Sequence, residues 1–546
     1  MNHEDLRVGD LVRMHAAKHP DKEALINSDG SIRYSYRELN TIVDNLAKAL
    51  IKMGVKKDDK VAIWAVNCIE WVISQIGISR AGAVVVTVNP HEKSKIIEHM
   101  IGYSDTVAIV MREGVHGTEN VDMLYNELCP ELESSEKDNL NLKKFPLLKT
   151  IIMASPKKPY NGLYSWEEIL DIGSKCSDDD LNSRSKEIGW EDAVHMIFTS
   201  GTTGWPKAVP LSNKNLITCG IGMTEKMAVT ADDKICLQPP LFHTFGCSAC
   251  VVVGYLNGCS IMVMEKFLPE VTLKMIEKEK STILSGVPTM FLGFLKVFEN
   301  GNFDTSSLRT GIIAGAASPK GLIESLITKM KMRELIQAYG LTETSPCISA
   351  SSHNDTIEQK ENTIGRLIPR VQWIVIDENT GLEAERGKVG EICVKGDIVM
   401  KGYYKLPDET AKAIDKDGWF HTGDVGYIRE DGCMTLTSRI KDIIIRGGEN
   451  IYPAEIENIA IDHEAVEDVY VVGVPDHNKG EEIMAFIKIK AGKTLTEEEI
   501  KAFCKPRMAT HKVPKYVVFT EEFPQSSTGK VLKRELREIG AKMVNA

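Results

Sequence analysis

The sequence lacks an excess of basic residues. Its 66 Lys and Arg stand against 77 Asp and Glu, a formal net charge of −11. Because nucleic acids and anionic membranes attract a basic face, this balance argues against a protein that binds either of them through charge. Aromatic residues are 6% and hydrophobic residues 43% of the chain, and no internal repeat is visible. This ordinary globular composition excludes wholesale disorder and collagen-like or coiled-coil architectures.

Long apolar runs and an export signal are also missing. Residues 1–12 carry three acidic side chains and no apolar core of a signal peptide, so we expect a cytoplasmic protein. The longest apolar stretch, residues 247–264, contains the turn-forming pair Asn257-Gly258. It therefore predicts a buried helix, a turn and a strand rather than a membrane span.

The 12 cysteines follow no disulfide or zinc pattern. Without an export signal, we expect reduced thiols. Cys247 and Cys250 have CxxC spacing, but no second CxxC completes a zinc site. We interpret the pair as two small residues on one buried helix, with a redox or metal half-site as the alternative.

The order of apolar and polar segments predicts an α/β fold. A chain of 546 residues holds about three to four structural units. Strand-like runs at 61–65 and 84–88 alternate with helical segments such as 71–80, which indicates a mainly parallel sheet. Residues 365–440 have short strands separated by Gly and Asp turns and predict a small β-rich subdomain.

The pattern changes again after residue 440. Strand-like residues 469–474 and 485–489 alternate with helix-like segments, which predicts a C-terminal domain of 441–546 after an N-terminal domain of 1–440.

Two polar stretches, 131–144 and 174–186, are predicted surface loops, because charge runs are usually solvated.

The most informative segment is the hydroxyl-rich stretch 198–207, which follows the strand-like residues 194–197. Gly201 and Gly204 permit tight turns and a close backbone approach to a ligand. Hydroxyl and free N–H groups donate to phosphate oxygens, and Lys207 adds a positive charge. The segment therefore predicts a phosphate-binding loop.

This loop is not that of a P-loop NTPase, although the spacing from Gly201 to Lys207 is similar. Pro206 replaces the glycine before the lysine and offers no N–H. Ala208 replaces the hydroxyl residue that would bind Mg²⁺.

The loop closely resembles the signature of the AMP-forming adenylating enzymes, the family of acyl-CoA synthetases, adenylation domains and luciferases. Segments along nearly the whole chain resemble further motifs of that family, in the same order. They are residues 34–39, 240–243, 315–317, 339–344, 418–424, 439–442, 447–451 and 524–530. The resemblance implies a large N-terminal domain of two α/β subdomains plus a small β-rich subdomain, followed by a small mobile α+β C-terminal domain.

The resemblance also implies a reaction that uses ATP, Mg²⁺ and coenzyme A. In the family, a carboxylate attacks the α-phosphorus of ATP, and a CoA thiol then takes the acyl group from the adenylate. The first step brings two anions together and therefore needs cations and aligned donors. Lys530 is the implied principal catalytic residue. Glu343 and His243 are the other two implied catalytic residues. Glu343 and Thr202 are the candidate Mg²⁺ ligands.

The implied cofactor-binding residues lie in the same motifs. They are Thr199, Ser200, Gly201, Thr202, Thr203, Gly204 and Lys207 for the phosphates; Gly315, Ala316, Ala317, Ala338, Tyr339, Gly340 and Thr342 for the adenine and the α-phosphate; and Asp424, Arg439, Lys441, Gly447 and Gly448 for the ribose, the hinge and the pantetheine arm. Asp424 suits the ribose because a carboxylate has two acceptor oxygens for two hydroxyl groups.

A hinge at Lys441 is implied as well. Rotation of the C-terminal domain would withdraw Lys530 and bring Gly447 and Gly448 to the pantetheine tunnel, where side chains would crowd the thiol. His243 gates that tunnel, contacts the acyl carboxylate, or is structural. The basic residues between 501 and 515 attract the CoA phosphates or form a solvated face.

Three function classes follow. The first is a stand-alone acid–CoA ligase, a monomer or homodimer whose partner is a small carboxylic acid, with no nucleic acid and no membrane span. The second is an adenylation enzyme that loads a carrier protein. Amino-acid adenylation domains usually place an Asp at the acyl-site motif, whereas Phe242-His243 here has no carboxylate, and we expect no carrier domain after Lys530.

The third class is a non-catalytic or luciferase-like protein, which retention of Lys207, Glu343, Asp424 and Lys530 argues against. The apolar stretch 245–253 has no charged partner for a substrate. We therefore expect an uncharged acyl group: medium-chain fatty, alicyclic or aromatic.

Overall fold

The computed structural model describes residues 3–114, 119–199, 205–377, 380–447, 449–525 and 531–545. Their contacts divide the chain into two units, Met1–Gln372 with Lys395–Phe420, and Trp373–Val394 with His421–Ala546. The predicted α/β fold class is confirmed. The domain boundary at about residue 440 stays a prediction.

A seven-stranded sheet forms the largest layer of the first unit. Val84–Val88 is buried at every position, as expected for a β-branched strand that is covered on both faces. All neighbouring strands are parallel except Ala193–Thr199 and Lys207–Ser212, which are antiparallel. In sheet order the strands are Tyr164–Ser165, Thr150–Met153, Thr106–Met111, Lys60–Trp64, Val84–Val88, Ala193–Thr199 and Lys207–Ser212. The predicted mainly parallel sheet is confirmed.

Two smaller sheets complete the β-structure of this unit. The five-stranded sheet has the order Ile283–Leu284, Lys234–Leu237, Ser260–Val263, Glu23–Ile26 and Arg33–Ser35. The four-stranded sheet has the order Ile312–Ile313, Ile336–Tyr339, Ser349–Ala350 and Arg366–Leu367. Apolar helices cover the five-stranded sheet and form a continuous core that includes Phe291, Phe294 and Leu326.

Helices of two kinds surround these sheets. Ile69–Arg80 is buried at every residue, so it is a core helix. Tyr36–Lys52 buries one face and begins with a capping box between Ser35 and Glu38, which satisfies backbone N–H groups at its start. The α-helices are Leu11–Lys18, Tyr36–Lys52, Ile69–Arg80, Ser94–Tyr103, Asn120–Met123, Trp166–Ser174, Asp179–Glu187, Asn213–Met227, Thr244–Gly246, Val253–Asn257, Pro269–Glu279, Pro288–Glu299, Leu322–Thr328, Ile357–Asn362 and Pro407–Ala413. Short 3₁₀ turns occur at His3–Asp5, Val8–Asp10, Pro130–Ser134 and Thr342–Thr344, and π-helical turns at Leu124–Leu128 and Cys247–Val252.

The longest apolar stretch has the predicted helix, turn and strand. The helical turns Cys247–Val252 and Val253–Asn257 end at Gly258, whose φ is +76°. The strand Ser260–Val263 follows and is buried throughout. Among the described residues, no helix combines the length and the apolarity needed to cross a membrane.

The prediction of a loop at 174–186 is wrong. Residues Asp179–Glu187 form a helix that buries Leu181, because one apolar side chain among the charges is enough to seat a short helix on the protein surface. Residues 131–144 are closer to the prediction. After the short turn Pro130–Ser134, the rest of that stretch is irregular.

The second unit contains two sheets. One has the order Val371–Ile376, Gly390–Gly396, Phe420–Ile428 and Met434–Arg439. In the other, Glu449–Ile451, Ile444–Arg446, Gly480–Ile489 and Val466–Asp476 are adjacent in that order, and Tyr516–Phe519 pairs in parallel with Gly480–Ile489. The helices are Pro453–Ala460, Glu497–Cys504 and Lys533–Asn545, with short turns at Ile440–Asp442 and Thr510–Lys512.

The cysteines agree with the prediction of reduced thiols. None of the 12, all of which lie in the described part of the chain, forms a disulfide; 11 are buried, and Cys176 is half-buried. Burial raises the pKa of Cys250 to about 12, and it also raises the pKa of Cys247. Both groups are therefore neutral thiols on a buried helix, which favours the structural interpretation of the CxxC pair.

Candidate active site

The predicted phosphate loop connects two antiparallel strands. Thr199 and Lys207 lie opposite each other at the ends of these strands, and the Thr199 hydroxyl donates to the Lys207 carbonyl at 3.4 Å. The loop of a P-loop NTPase opens a helix, whereas a strand begins here at Lys207. The five remaining loop residues, Ser200, Gly201, Thr202, Thr203 and Gly204, lie outside the described residues.

Lys207 is held between a carboxylate and an aromatic ring. Its Nζ lies 2.5 Å from Oε2 of Glu409 and 4.8 Å from the ring centroid of Tyr403. Lys207 and, to a smaller extent, Lys412 hold the pKa of Glu409 at about 2. The ammonium at the start of the strand that follows the loop sequence is thus held in place by an anion and an aromatic face.

Tyr403 connects Lys207 to Glu343. Its hydroxyl donates to Oε1 of Glu343 at 2.9 Å. Burial, followed by the neighbouring Glu343 carboxylate, raises the pKa of Tyr403, so the phenol stays protonated and remains a donor. The structure therefore brings together two predicted site residues that are 136 positions apart in the chain, through a tyrosine that the sequence analysis did not name.

The first candidate adenine segment follows a parallel strand. Ile312–Ile313 pairs in parallel with Ile336–Tyr339, so both strands lead to the same sheet edge, where α/β sheets commonly bind ligands. Gly315, Ala316 and Ala317 begin two residues after the end of the first strand and are exposed. Gly315 has a φ of +89°, a conformation that favours glycine.

The second adenine segment ends the neighbouring strand. Ala338 and Tyr339 are its last residues and are half-buried. Gly340 follows, and a Cβ atom there would lie 1.9 Å from the Pro346 carbonyl oxygen, so only glycine fits. Thr342 then begins the short turn Thr342–Thr344, which carries Glu343. The adenine candidates of this second segment and the metal candidate Glu343 are thus positioned by the end of one strand.

The ribose candidates form an ion pair in the second unit. Asp424 and Arg439 are opposite residues of the antiparallel strands Phe420–Ile428 and Met434–Arg439. Nε of Arg439 lies 2.8 Å from Oδ1 of Asp424, and the Asp424 side chain is 5% exposed against 48% for Arg439. The Asp424 N–H donates to the Thr422 hydroxyl at 3.0 Å, which fixes the backbone that carries the carboxylate.

The hinge candidate Lys441 lies two residues after Arg439, in the turn Ile440–Asp442. Its carbonyl accepts a hydrogen bond from the Arg537 guanidinium at 2.9 Å. Gly447 has a φ of +62° at the turn between the strands Ile444–Arg446 and Glu449–Ile451. Gly448 lies outside the described residues.

The principal catalytic candidate, Lys530, also lies outside the described residues. The described residues on either side of this segment, Gln525 and Val531, form an antiparallel bridge. The helix Lys533–Asn545 follows, and Nζ of Lys533 lies 2.7 Å from Oε1 of Glu457.

His243 precedes the apolar helical turns at Thr244–Gly246 and Cys247–Val252. Burial lowers its pKa to about 4, so the imidazole is neutral at physiological pH. Its ring lies 4.5 Å from that of Phe242, measured between centroids. Nε2 is buried and has no hydrogen-bond partner among the described residues. Such a ring nitrogen is available to a ligand, which keeps a substrate-contacting role open.

The basic cluster near the C-terminus is largely paired with carboxylates. Lys512 contacts Glu455 at 2.7 Å, and Lys515 contacts Asp476 at 2.8 Å. Arg507 packs over the ring of Phe503. These contacts favour a solvated, ion-paired face over a phosphate-binding cluster.

Two participants were missed by sequence reasoning. Glu409 is 202 residues from Lys207, and Tyr403 is 60 residues from Glu343. Neither stands in a charge pattern that distinguishes it from ordinary surface residues, so the sequence offered no signal for these contacts.

Comparison with known proteins identifies the fold and the family. Residues 12–404 match the model of the AMP-binding enzyme family, and residues 455–530 match the AMP-binding enzyme C-terminal domain. The chain belongs to the AMP-binding enzyme family. This confirms both the resemblance on which the sequence analysis relied and the prediction of an enzyme of this class.

Curated members of the family are similar along the whole chain. The chain is 40% identical to a putative acyl-CoA synthetase, YngI, of Bacillus subtilis (strain 168), over 98% of each chain. It is 36% identical to a mitochondrial medium-chain acyl-CoA ligase, ACSF2, of Mus musculus, over 97% of this chain and 87% of that one.

Solved structures of the family agree with the fold. The ATP-bound MatB from Rhodopseudomonas palustris aligns with a TM-score of 0.84 at 25% identity, over 98% of this chain and 100% of that one. A fatty acyl CoA synthetase from Mycobacterium tuberculosis aligns with a TM-score of 0.74 at 26% identity, over 98% of this chain and 99% of that one.

Proposed function

We propose that the protein is an ATP-dependent, AMP-forming acid–CoA ligase. The observation that carries this proposal is the chain of contacts Glu409–Lys207–Tyr403–Glu343. In this chain the Tyr403 side chain lies between the Lys207 ammonium and the Glu343 carboxylate, and Glu409 pairs with Lys207. A cation and a carboxylate so arranged suit a nucleotide triphosphate and its metal ion. The 40% and 36% identities to acyl-CoA synthetases and ligases support the same assignment.

In the first half-reaction, an oxygen of the substrate carboxylate forms a bond to the α-phosphorus, and the bond from that phosphorus to the pyrophosphate oxygen breaks. Lys207 exchanges Glu409 for phosphate oxygens and stabilises the leaving pyrophosphate. Lys530 neutralises the carboxylate and the α-phosphate while both carry charge. Asp424 accepts hydrogen bonds from the ribose hydroxyls, with Arg439 holding its carboxylate in place.

Glu343 is a suitable ligand for Mg²⁺, because this hard cation prefers carboxylate oxygens and the Tyr403 hydroxyl fixes the carboxylate through Oε1. When bound, the ion would shield the phosphate charge. Thr202 is proposed as a second ligand.

In the second half-reaction, the CoA sulfur forms a bond to the acyl carbon, and the bond from that carbon to the AMP oxygen breaks. The thiol proton leaves to solvent, so acyl-CoA and AMP are the products. Rotation about Lys441 between the half-reactions, which would place Gly447 and Gly448 near the pantetheine, is part of this proposal.

The proposed acid is uncharged beyond its carboxylate: medium-chain fatty, alicyclic or aromatic. The helical wall Cys247–Val252 is buried at every position and carries no charge. The neutral His243 imidazole beside it offers no ion pair to a charged acyl chain. The name of the mouse relative, a medium-chain acyl-CoA ligase, supports the first of these classes.

The test measures pyrophosphate exchange into ATP and CoA-dependent AMP release with octanoate, cyclohexanecarboxylate, benzoate and malonate. We expect both activities with one or more of the first three acids and neither with malonate. Exchange without CoA-dependent AMP release would favour the carrier-loading alternative. Neither activity with any acid would contradict the proposal.

Substitution of the catalytic lysine tests the mechanism. Lys530→Ala should reduce adenylate formation by about 100-fold or more, as expected when a transition-state cation is lost. Lys542→Ala, in the following helix, is the matched control and should retain activity. A K530A enzyme that forms adenylate at the wild-type rate would overturn the assigned role. A cytoplasmic location and a monomeric or dimeric state stay predictions, and light scattering measures the latter.

A further inference from the structure

A cluster of side chains of metal-ligating types lies in the second unit and is not used by the proposed reaction. Glu391, Cys393 and His421 place a carboxylate oxygen, a thiol sulfur and an imidazole nitrogen within 4.8 Å of one another. Among the described residues, this is the only group of three or more such side chains at that spacing. Glu391 and Cys393 belong to the strand Gly390–Gly396, and His421 to its neighbour Phe420–Ile428.

The donor atoms converge on His421. Its Nδ1 lies 2.8 Å from Oε2 of Glu391 and 3.4 Å from Sγ of Cys393. These separations are near those between ligands of a small tetrahedral ion, whose bonds to nitrogen and sulfur are about 2.0–2.3 Å long. Cys393 and Glu391 are two positions apart on one strand, so their side chains point to the same face.

The carboxylate is already oriented. The Gly423 N–H donates to Oε1 of Glu391 at 3.1 Å, which leaves Oε2 directed at His421. Hydrogen bonds of this kind fix the ligands of protein metal sites. The His421 side chain is 33% exposed and Glu391 is 15% exposed, so an ion has a path from solvent to the buried sulfur.

We propose that Glu391, Cys393 and His421 form a binding site for a borderline-soft divalent cation of the Zn²⁺ class. Thiolate and imidazole ligands select such ions, whereas Mg²⁺ prefers oxygen. Three protein ligands with a water molecule in the fourth position form an open tetrahedral site. The ion would displace the Cys393 proton and the Glu391–His421 hydrogen bond. Because His421 is three residues before Asp424, the bound ion would also brace the strand that carries the candidate ribose carboxylate.

The site does not depend on the proposed reaction, so its test reads metal binding directly. The full-length protein is treated with a chelator, dialysed and titrated with Co²⁺ alone. We expect about one tightly bound Co²⁺ per chain, with visible bands of a tetrahedral ion and a near-ultraviolet thiolate-to-cobalt charge-transfer band. Zn²⁺ should remove both signals, and it should raise the melting temperature because it binds the folded state.

Cys393→Ala should abolish the charge-transfer band, and His421→Gln should weaken Co²⁺ binding by at least about 100-fold, more than loss of an outer-shell partner costs. Cys504→Ala is the matched control, since Cys504 is another buried cysteine of the same unit, and it should leave the band unchanged. Circular dichroism confirms that each variant is folded.

The absence of a thiolate band in the wild-type protein would overturn the proposal. A band that survives Cys393→Ala, or that disappears in Cys504→Ala, would assign the ion to another cysteine and would overturn it as well. If Cys393→Ala fails to fold, the loss of tight Co²⁺ binding in folded His421→Gln would support the proposal instead. Unchanged binding in that variant would contradict the proposal.

Discussion

Two ion pairs among the candidate site residues, one in each unit, differ in which member is buried. In the pair Lys207–Glu409, the cation is the more buried side chain, at 13% exposure against 25%. In the pair Asp424–Arg439, the anion is, at 5% against 48%. Lys207, Asp424 and Arg439 belong to segments that resemble family motifs, whereas Glu409 does not. Each pair thus holds its more buried charge in a fixed position.

The two ion pairs also differ in how the proposed binding of ATP would affect them. In the proposed reaction, phosphate replaces Glu409 at the Lys207 ammonium, because both are anions that compete for one cation. Ribose hydroxyls are neutral donors and can bind Asp424 while Arg439 stays in place, since a carboxylate accepts several hydrogen bonds. In this proposal the first pair is broken on binding and the second is kept, and the substitutions below test this contrast.

The largest effect is expected from Asp424→Ala. It removes two charge-assisted hydrogen bonds to the ribose, so ATP-dependent exchange should fall by about 100–1,000-fold in kcat/KM. Steady-state kinetics with varied ATP measure this loss. Glu430→Ala, at an exposed position of the same hairpin, is the control. A loss of less than about 10-fold would contradict a ribose-binding role.

Lys207→Met should have the next largest effect. It keeps the length of the side chain and removes the ammonium, so kcat/KM for ATP should fall by about 10–100-fold, as expected for one charged hydrogen-bonding group. The effect should be smaller than that of Asp424→Ala, because the proposal gives phosphate other donors in the loop sequence. A larger loss of kcat/KM in Lys207→Met than in Asp424→Ala would contradict this comparison of the two ion pairs.

Tyr403→Phe should have a smaller effect. It removes the hydroxyl that orients Glu343 but keeps the ring beneath the Lys207 ammonium. We expect kcat to fall by about 5–10-fold, the size of one ordinary hydrogen bond that orients a side chain, together with a weaker dependence on Mg²⁺. Titration of activity with Mg²⁺ measures the second effect. An unchanged Mg²⁺ dependence would show that Tyr403 does not act through Glu343.

The smallest effect concerns the stability contributed by Glu409. Its pKa is about 2 in the folded protein, against an ordinary value of 4.5. A depressed carboxyl pKa stabilises the folded state above the ordinary pKa, and this contribution is lost as pH falls towards the folded-state value. The melting temperatures of wild type and Glu409→Gln should therefore differ near neutral pH and converge in acid. A difference in melting temperature that grows in acid would contradict a stabilising Lys207–Glu409 ion pair.

Strong local patterns predicted much of the fold. The strand at 84–88 and the helix, turn and strand at 247–264 agree with the structure, because β-branched residues and the Asn257-Gly258 turn specify local backbone. The helix Asp179–Glu187 was missed, since its single buried leucine gives almost no periodic signal.

The motif residues of the site were identified from the sequence, but their partners were not. The contact of Lys207 with Glu409 joins positions 202 residues apart. A pairing of this kind depends on how the strand Lys207–Ser212 and the helix Pro407–Ala413 are arranged in the fold, and no local spacing encodes it. The Asp424–Arg439 pair is closer in sequence, yet its geometry depends on the register of two strands.

The 11 buried thiols make the protein a reporter of its own unfolding. A bulky alkylating reagent modifies only sulfurs that reach solvent, and these cysteines are spread from position 68 to position 504. Pulse labelling under rising denaturant, followed by peptide mapping, would reveal which segments open first, with no introduced probe. Because cysteines occur in both units, the same labelling would distinguish separate melting of the units from a single transition.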